Sequence, residues 1–347
     1  MVKNFWTNIS AGKGVFIIAE AGVNHNGRLA LAKKLVDAAA VAGANAVKFQ
    51  TFDADCLASK YAPKARYQLK TTGKNESQHR MLSRLQLSKE YHRALQLYCR
   101  AKKILFLSTP FDEPCADFLN TFAMPLFKVP SGEITNWPYL EHIARFGKPM
   151  IISTGMADLE EVRTAVRIVY KAGNRRVALL HCVSNYPASV KDINLKAMDT
   201  LSDVFNVPIG YSDHTLGTEI AIAACARGAC ILEKHLTLDR SLAGPDHKMS
   251  LGPKEFKEMV ASIRRVSSAL GSGKKVPAPS ELEVAVVARK SLVAARDIGP
   301  GEVLRKEMVS FKRPGTGLQF KDIHLIIGET AKKSILKDQL ILPEQFK

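Results

Sequence analysis

The chain has 347 residues, 46% of them hydrophobic, and its 50 lysines and arginines exceed its 33 aspartates and glutamates to give a formal net charge of +17. No uninterrupted apolar stretch approaches the ~20 residues of a membrane span, and the first residues lack the apolar core and cleavage site of a signal peptide, so we expect a soluble, cytoplasmic protein with no membrane partner. The basic residues are spread along the chain with few aromatic residues beside them, which argues against nucleic acid. The positive charge fits either an anionic substrate or a basic surface of no specific purpose.

Eight apolar runs typical of buried strands recur along the chain, separated by amphipathic segments typical of helices. The predicted strands are Val15–Ala19, Ala46–Phe49, Ile104–Leu107, Leu126–Val129, Met150–Ile152, Val177–Leu180, Pro208–Tyr211 and Cys230–Leu232. The helical segments include Leu29–Ala42, Lys89–Ala101, Asp158–Ala172, Leu195–Phe205 and Pro253–Leu270. Eight strand–helix units predict an α/β fold, a (β/α)₈ TIM barrel, over residues 1–270.

Two segments depart from this repeat. Residues 53–88 are long for a βα loop, which usually has about 2–6 residues, so we expect a partly ordered lid over the barrel. Residues 271–285 are rich in Gly, Pro, Ser and Lys and are predicted to be a linker. Residues 286–347 then form a small module with β-like runs at Ser291–Ala294, Met308–Phe311 and Lys333–Leu336.

Polar or charged residues follow every predicted strand, where a barrel builds its active site. Two lysines and several hydroxyl groups among them suit a phosphate group. This set consists of Lys48, Thr109, Lys128, Ser131, Ser153 and Ser212. Any one of them alone could be a lysine reaching solvent or a serine capping a helix, but six around one rim indicate an anion site.

A histidine follows each of the last two predicted strands, at His214 and His235. The helical segment between them, Leu216–Arg227, completes a βαβ unit, which brings the carboxyl ends of both strands to the same side. Two converging imidazoles suit a divalent transition metal with open positions; the alternative is a hydrogen-bonded pair without metal. Acidic neighbours favour a polar pocket here: Asp213, Glu233 and Asp246.

Motifs spread over nearly the whole chain resemble those of the sialic acid synthase family, which makes N-acetylneuraminic, legionaminic and pseudaminic acids. They are IIAEAGVNHNG (17–27), AVKFQT (46–51), LSTPFD (107–112), FKVPSGE (127–133), IISTGM (151–156), LLHCVSNYP (179–187), GYSDHT (210–215), EKHLTLD (233–239), GPDHKMSL (244–251), ARKSLVAARDIGPGE (288–302) and KRPGTG (312–317). The segment 286–347 is similar to the antifreeze-like SAF domain that such synthases carry.

The resemblance implies condensation of phosphoenolpyruvate with an N-acetylated mannose-type amino sugar, with release of phosphate. It implies a divalent metal, usually Mn²⁺, on His214 and His235, with Mg²⁺ and Co²⁺ left open. It also implies a domain-swapped homodimer in which the SAF domain covers the partner's barrel. The sugar is left open among N-acetylmannosamine, its 6-phosphate and a diacetamido-trideoxy analogue.

The resemblance also assigns roles to residues. The six residues of the anion site are assigned to phosphoenolpyruvate, together with Ser184 and Asn185, because part of the family has an asparagine two residues before the tyrosine, where Ser184 stands here. Glu20 and, with greater weight, Glu133 are the carboxylates for charge stabilisation and proton transfer, beside His214 and His235. The sugar is assigned to Gln50, Glu133, Tyr186, Asp246 and Arg313.

Two other functions fit the residues. A strand-end lysine in a barrel, Lys48 or Lys128, can act as the Schiff-base nucleophile of an aldolase. A barrel without catalysis could instead serve as a carbohydrate-binding protein, although the complete set of rim residues argues against it.

Overall fold

The computed structural model describes residues 5–10, 14–73, 75–122 and 124–347; the other residues of the predicted barrel and lid lie outside the described part. The chain divides into two compact units, Met1–Gly271 and Ser272–Lys347. No helix among the described residues is long and apolar enough to cross a bilayer.

The first unit is a (β/α)₈ barrel, as predicted. Its strands are β1 (Phe16–Gly22), β2 (Ala46–Thr51), β3 (Leu105–Pro110), β4 (Phe127–Val129), β5 (Met150–Ser153), β6 (Val177–Cys182), β7 (Ile209–Asp213) and β8 (Ile231–His235). All pairs are parallel in the order β3-β2-β1-β8-β7-β6-β5-β4, and β3 lies beside β4.

The helices that follow the strands in the repeat cover the outer faces of the strands, and the described residues of this unit form twelve α-helices in all. They are α1 (Phe5–Ser10), α2 (Leu29–Ala42), α3 (Ala54–Leu57), α4 (Arg66–Thr72), α5 (Gln78–Leu85), α6 (Lys89–Ala101), α7 (Glu113–Asn120), α8 (Trp137–Arg145), α9 (Leu159–Lys171), α10 (Ala197–Phe205), α11 (Glu219–Ala226) and α12 (Pro253–Ala269). The main core lies between the strands and these helices; Leu35 of α2 and Phe256 of α12, for example, are fully buried there.

The inside of the barrel changes character along each strand. On β1, Phe16 and Ile18 belong to an inner apolar cluster, and Glu20, two residues further, lines a cavity. On β8, Ile231 belongs to the same cluster and Glu233 lines the same cavity. Because strand side chains alternate between faces, one strand supplies apolar packing at its amino end and a polar group at its carboxyl end.

Between β2 and α6 the chain forms the three short helices α3, α4 and α5. Met81 and Leu85 of α5 are buried in an apolar cluster with Val23 and Phe52 of the barrel. The predicted lid is therefore helical and is anchored to the barrel by apolar packing.

The second unit is small and irregular. Its strands β9 (Ser291–Ala294) and β10 (Val309–Lys312) pair antiparallel. The third predicted run, Lys333–Leu336, is not a strand: it contributes one isolated bridge, between Ile335 and Ile298.

Helix α13 (Pro279–Ala288) begins inside the stretch 271–285 that was predicted to be a linker. Pro279 occupies its first turn, where a missing N–H costs nothing. The Glu281 carboxylate accepts a hydrogen bond from the backbone N–H of Ala278 (2.7 Å). These local signals start a helix that the Gly/Pro-rich composition obscured.

Candidate active site

A cavity of about 470 Å³ opens at the carboxyl ends of the barrel strands. Every strand, or the loop that follows it, contributes a polar side chain to its lining. In chain order these are Glu20, Lys48, Gln50, Thr109, Lys128, Ser131, Ser153, Cys182, Ser184, Tyr186, Ser212, His214, Glu233, His235 and Asp246. The sequence-predicted rim residues are thus largely brought together.

A larger cavity of about 790 Å³ lies at the amino ends of β6 and β7. Its charged side chains include Arg227, which is ion-paired with Asp199. Its described lining residues include no lysine, histidine or glutamate. Barrel enzymes carry their chemistry at the carboxyl ends of the strands, so the smaller cavity is the candidate active site.

The floor of this cavity is a buried array of two lysines and two glutamates. The Lys48 ammonium lies 2.7 Å from Glu20 Oε2 and 3.7 Å from Glu233 Oε2, and it donates a hydrogen bond to Thr109 Oγ1 (3.0 Å). The Lys128 ammonium donates to Ser153 Oγ (2.7 Å) and lies 3.9 Å from Glu233 Oε1. Each of the four charged side chains is at most 6% exposed.

Burial and mutual attraction act against each other in this array. Burial raises the pKa of Glu20 to about 7, although Lys48 beside it acts in the opposite direction. Burial would also raise the pKa of Glu233, but Lys128 and Lys48 outweigh it and lower that pKa. Burial lowers the pKa of Lys128, while Glu20 and Glu233 outweigh burial at Lys48 and raise its pKa. Glu20 is therefore the group best placed to exchange a proton near neutral pH.

Ser131 and Ser184 stand close together at the β5 side of the cavity. A side chain at Gly155 would bring a Cβ within 2.3 Å of Ser184 Oγ and 2.8 Å of Ser131 Oγ. The backbone N–H of Gly155 itself donates to Ser131 Oγ (3.1 Å). Glycine at this position lets two hydroxyl groups and a backbone amide share one small space.

His214 and His235 lie beside each other, with ring centroids 5.5 Å apart. The His214 Nδ1 lies 2.8 Å from the Val183 carbonyl oxygen, which can only accept, so Nδ1 carries the proton and Nε2 is left for another partner. The Cys182 sulfur lies 3.6 Å from the same Nδ1 and raises the pKa of His214 against the effect of burial.

Nδ1 of His235 is a buried nitrogen with no hydrogen-bond partner among the described residues. Burial, followed by the charge of His214, lowers the pKa of His235 well below its usual value. A neutral imidazole with an unused lone pair is the form that binds a metal. The carbonyl that orients His214 is likewise the kind of outer partner that metal-ligating histidines have.

These two imidazoles fit a divalent metal with open coordination positions. Within the described ranges, no group of three or more His, Cys, Asp or Glu side chains has the geometry of a metal site. The protein thus offers two nitrogen donors, and the other positions are open to water or substrate oxygen.

The sugar-assigned residues Gln50, Tyr186 and Asp246 also line the cavity. The Gln50 amide donates to Glu20 Oε1 (3.3 Å), and the Tyr186 ring packs against His214 with centroids 4.2 Å apart. Asp246 lies with Oδ2 3.8 Å from His235 Nδ1, and burial raises its pKa to about 6.

Two predicted residues of the barrel unit do not line this cavity. Glu133, in a 3₁₀ turn after β4, is half-buried and accepts a hydrogen bond from the side chain of Asn136 (2.7 Å). Asn185 is exposed, and its Oδ1 accepts from the backbone of Tyr186 (3.1 Å). Arg313 belongs to the second unit, where its Nε donates to the Ala288 carbonyl (3.1 Å).

Glu233 and Tyr67 line the cavity but had been given no role: Glu233 was predicted only to favour a polar pocket, and Tyr67 was not predicted. A signal for Glu233 was present, since it lies two residues before His235 on one strand and so faces the same side. Tyr67 lies on α4, in a segment whose sequence carries no periodic pattern that would aim it at the barrel.

Comparison with known proteins gives two domain matches. Residues 35–275 match the NeuB family, and residues 289–347 match the SAF domain. The two matches fall in the barrel unit and in the second unit, respectively, apart from the few residues after Gly271.

Similar proteins include named synthases. The chain is 48% identical over 332 residues to N,N'-diacetyllegionaminic acid synthase of Campylobacter jejuni, covering 95% of this chain and 99% of that one. It is 37% identical over 332 residues to N-acetylneuraminate-9-phosphate synthase of Homo sapiens, covering 95% and 92%. A solved structure, N-acetylneuraminic acid synthetase from Leptospira borgpetersenii with citrate, aligns with a TM-score of 0.69 and 40% identity over 79% of this chain and 90% of that one.

Proposed function

Because the chain belongs to the NeuB family, we propose that its barrel condenses phosphoenolpyruvate with the open-chain form of an N-acetylated mannose-type sugar. The products are a nine-carbon 2-keto acid of the sialic acid type and inorganic phosphate. The observation that carries the assignment is one cavity in which two buried lysines with hydroxyl groups lie next to two histidines suited to a metal. The relatives named above are synthases, which leaves the Schiff-base aldolase and the non-catalytic binding protein without support.

The floor of the cavity binds phosphoenolpyruvate. The ammonium groups of Lys48 and Lys128 pair with its phosphate and carboxylate, and nearby hydroxyl groups donate hydrogen bonds. These hydroxyls are on Thr109, Ser131, Ser153, Ser184 and Ser212. Because Lys48 and Lys128 are each 3% exposed, their charges act with little screening by water.

The condensation forms a carbon–carbon bond and a bond from C2 to a water oxygen, and it breaks the bond between C2 and the phosphate oxygen. The electron pair of the enol double bond joins C3 of phosphoenolpyruvate to the aldehyde carbon of the sugar, which leaves positive charge at C2. The electron pair of the aldehyde C=O moves onto its oxygen, which becomes a hydroxyl by taking up the proton that the added water gives up. Glu20, buried beside Lys48, stabilises that charge and accepts the proton of the water that adds at C2. The tetrahedral adduct then breaks its C2–O bond, releases phosphate and becomes the ketone.

His214 and His235 are assigned to a divalent metal, Mn²⁺ in the first instance, with Mg²⁺ and Co²⁺ as alternatives. When bound, the metal supplies a Lewis acid for the carbonyl oxygen of the sugar. Gln50, Tyr186 and Asp246, which border the histidines and Glu20, hold the sugar with its aldehyde towards C3 of phosphoenolpyruvate.

The sugar assigned to this chain is the diacetamido-trideoxy analogue of N-acetylmannosamine. The support is the greater identity to the diacetyllegionaminic acid synthase (48%) than to the 9-phosphate synthase (37%). The test is phosphate release from phosphoenolpyruvate with N-acetylmannosamine, its 6-phosphate and the diacetamido-trideoxy sugar, each with EDTA and with added Mn²⁺. Metal-dependent release that is fastest with the third sugar is expected; no release with any of the three contradicts the proposed function.

A homodimer with exchanged SAF domains is part of the proposal. Helix α13 has no buried residue, and its Leu282, Val284, Val286 and Val287 are 50–63% exposed. Exposed apolar residues in such a cluster call for a protein surface to cover them. Light scattering on the purified chain is expected to give twice the monomer mass, and a monomer at micromolar concentration would contradict the proposed dimer.

The cytoplasm is the proposed location of the protein, in keeping with its six unpaired cysteines.

A further inference from the structure

The lid, residues 53–88, contains a buried lysine that joins its helices. The Lys64 ammonium donates to Thr72 Oγ1 (2.9 Å) and the Gly73 carbonyl (3.2 Å) at the end of α4, and to Glu76 Oε1 (3.2 Å). Glu76 also pairs with Arg84 of α5 (2.7 Å). Because the Lys64 side chain is only 1% exposed, these bonds join α4 and α5 into one ordered piece.

Tyr67 of α4 connects the lid to the candidate metal site through aromatic contacts. Its ring centroid lies 4.9 Å from that of Tyr186, and Tyr186 lies 4.2 Å from His214. The Gln68 amide donates to the Tyr67 hydroxyl (3.4 Å) and accepts from the backbone N–H of Ala65 (3.0 Å). Tyr67 is thereby fixed as part of the cavity wall.

The rest of the wall on the lid side is mostly apolar. Its lining side chains include Leu57, Ala65, Met81, Leu82 and Leu85. Two amides, Gln68 and Gln78, are the other lid groups that line the cavity, and the amide nitrogen of Gln78 donates to Gln68 Oε1 (3.4 Å). None of the lid's lysines or arginines is among the described lining residues.

The cavity's two lining ammonium groups, on Lys48 and Lys128, are on the floor with Glu20 and Glu233. Among the lining groups of the barrel unit, a phosphate at the far end of a sugar would therefore meet apolar side chains and neutral amides, and no cation would offset the cost of removing it from water. A methyl or an acetamido methyl group there would instead gain from burial against aromatic and aliphatic carbon.

We propose that Tyr67 is a specificity-determining residue for the sugar. Together with Tyr186 and the apolar lid residues, it forms the wall that selects a sugar with methyl and acetamido groups at its far end over a 6-phosphorylated sugar. This inference rests on the proposed function and assigns the sugar preference to the lid.

Tyr67→Ala tests this role, with Tyr61→Ala as the matched control. Tyr61 lies in the same lid but is 95% exposed. We expect Y67A to raise the KM for the diacetamido-trideoxy sugar about tenfold, as fits the loss of an aromatic contact and its buried area. The dissociation constant for phosphoenolpyruvate, from calorimetry without sugar, should change less than twofold. Y61A should match the wild type in both.

The ratio of kcat/KM for the diacetamido-trideoxy sugar to that for N-acetylmannosamine 6-phosphate is the second readout. The wild type should favour the first sugar, and Y67A should reduce the ratio. Equal effects on both sugars would mean that Tyr67 supports the lid without selecting the sugar, and this result would overturn the inference. A KM for the diacetamido-trideoxy sugar that is the same in Y67A and Y61A would overturn it as well.

If circular dichroism shows that Y67A does not fold, Tyr67→Leu replaces it, because leucine keeps an apolar side chain and removes the ring. A wild-type enzyme that prefers the 6-phosphate overturns the inference and leaves the reaction class standing, whereas a wild type inactive with every sugar contradicts the proposed function itself.

Discussion

Lys234→Met is expected to destabilise the barrel strongly, because it leaves a buried charge without its partner. The Lys234 ammonium donates to Asp213 Oδ2 and to the Thr215 carbonyl, both at 2.6 Å. The two side chains are 1% and 0% exposed. The pair joins β7 to β8 immediately beside the residues that carry His214 and His235.

The magnitude follows from the burial of the pair. Removing one partner of a buried ion pair typically costs about 3–5 kcal/mol, because the remaining charge stays desolvated. Burial lowers the pKa of Lys234 by more than Asp213 raises it, so the pair itself contributes little net stability. Replacing both charges with neutral groups should therefore cost much less than removing one.

The assay is urea unfolding of the wild type, K234M, D213N and the double variant D213N/K234M. In the double variant the side-chain amide oxygen at position 213 can still accept from the backbone N–H and hydroxyl of Thr215, as the Asp213 carboxylate does at 2.9 and 2.8 Å. We expect K234M to lose about 3–5 kcal/mol and the double variant to recover at least about 1 kcal/mol of this loss. A K234M loss below about 1 kcal/mol, or a double variant no more stable than K234M, would refute this reasoning.

Three further predictions concern the site. His235→Ala should weaken Mn²⁺ binding by on the order of 100-fold in calorimetry, while His142→Ala, on α8 outside the site, should not; equal affinities would remove His235 from the metal site. Because the pKa of Glu20 lies near 7 when folded and near 4.5 otherwise, its contribution to stability is full below about pH 4.5 and is lost as pH rises through 7. The unfolding free energy of the wild type relative to E20Q should therefore fall between pH 5 and pH 8, and a constant difference would contradict the shift. Phosphate release should drop at least about 100-fold in E20Q and less than tenfold in Glu133→Gln, since only Glu20 lines the cavity; the reverse order would return the catalytic role to Glu133.

The sequence predicted helix bounds best where burial is periodic. Helix α2 has the predicted bounds, Leu29–Ala42, because Ala32, Leu35, Val36 and Ala39 are buried at helical spacing. Gly43 then ends the helix with a left-handed φ of 81°, and its N–H bonds to the carbonyls of the last turn.

Strand ends were predicted too short for a physical reason. β1 continues past Ala19 to Gly22, and β8 continues past Leu232 to His235. Among the added residues, Glu20, Glu233 and His235 are polar and face the cavity, and hydropathy cannot distinguish a polar residue that faces a buried cavity from one that ends a strand. The functional residues are thus the ones that the apolar pattern excludes.

The site residues were predictable to the extent that they lie in a strand or directly after one. Lys48 and Lys128 lie within strands whose pairing fixes their direction. Glu133 lies beyond β4 in a 3₁₀ turn, where strand alternation no longer says which way a side chain faces. Tyr67 lies at the cavity through its ring contact with Tyr186, a tertiary contact that no local sequence pattern predicts.

The most direct test of the central claim follows the bridging oxygen of phosphoenolpyruvate. The purified enzyme, loaded with Mn²⁺, is incubated with the diacetamido-trideoxy sugar and phosphoenolpyruvate that carries ¹⁸O between C2 and phosphorus. Condensation with C2–O cleavage predicts equal amounts of nine-carbon keto acid and inorganic phosphate, with the label in the phosphate. Label in the keto acid, or phosphate released without the acid, would contradict it.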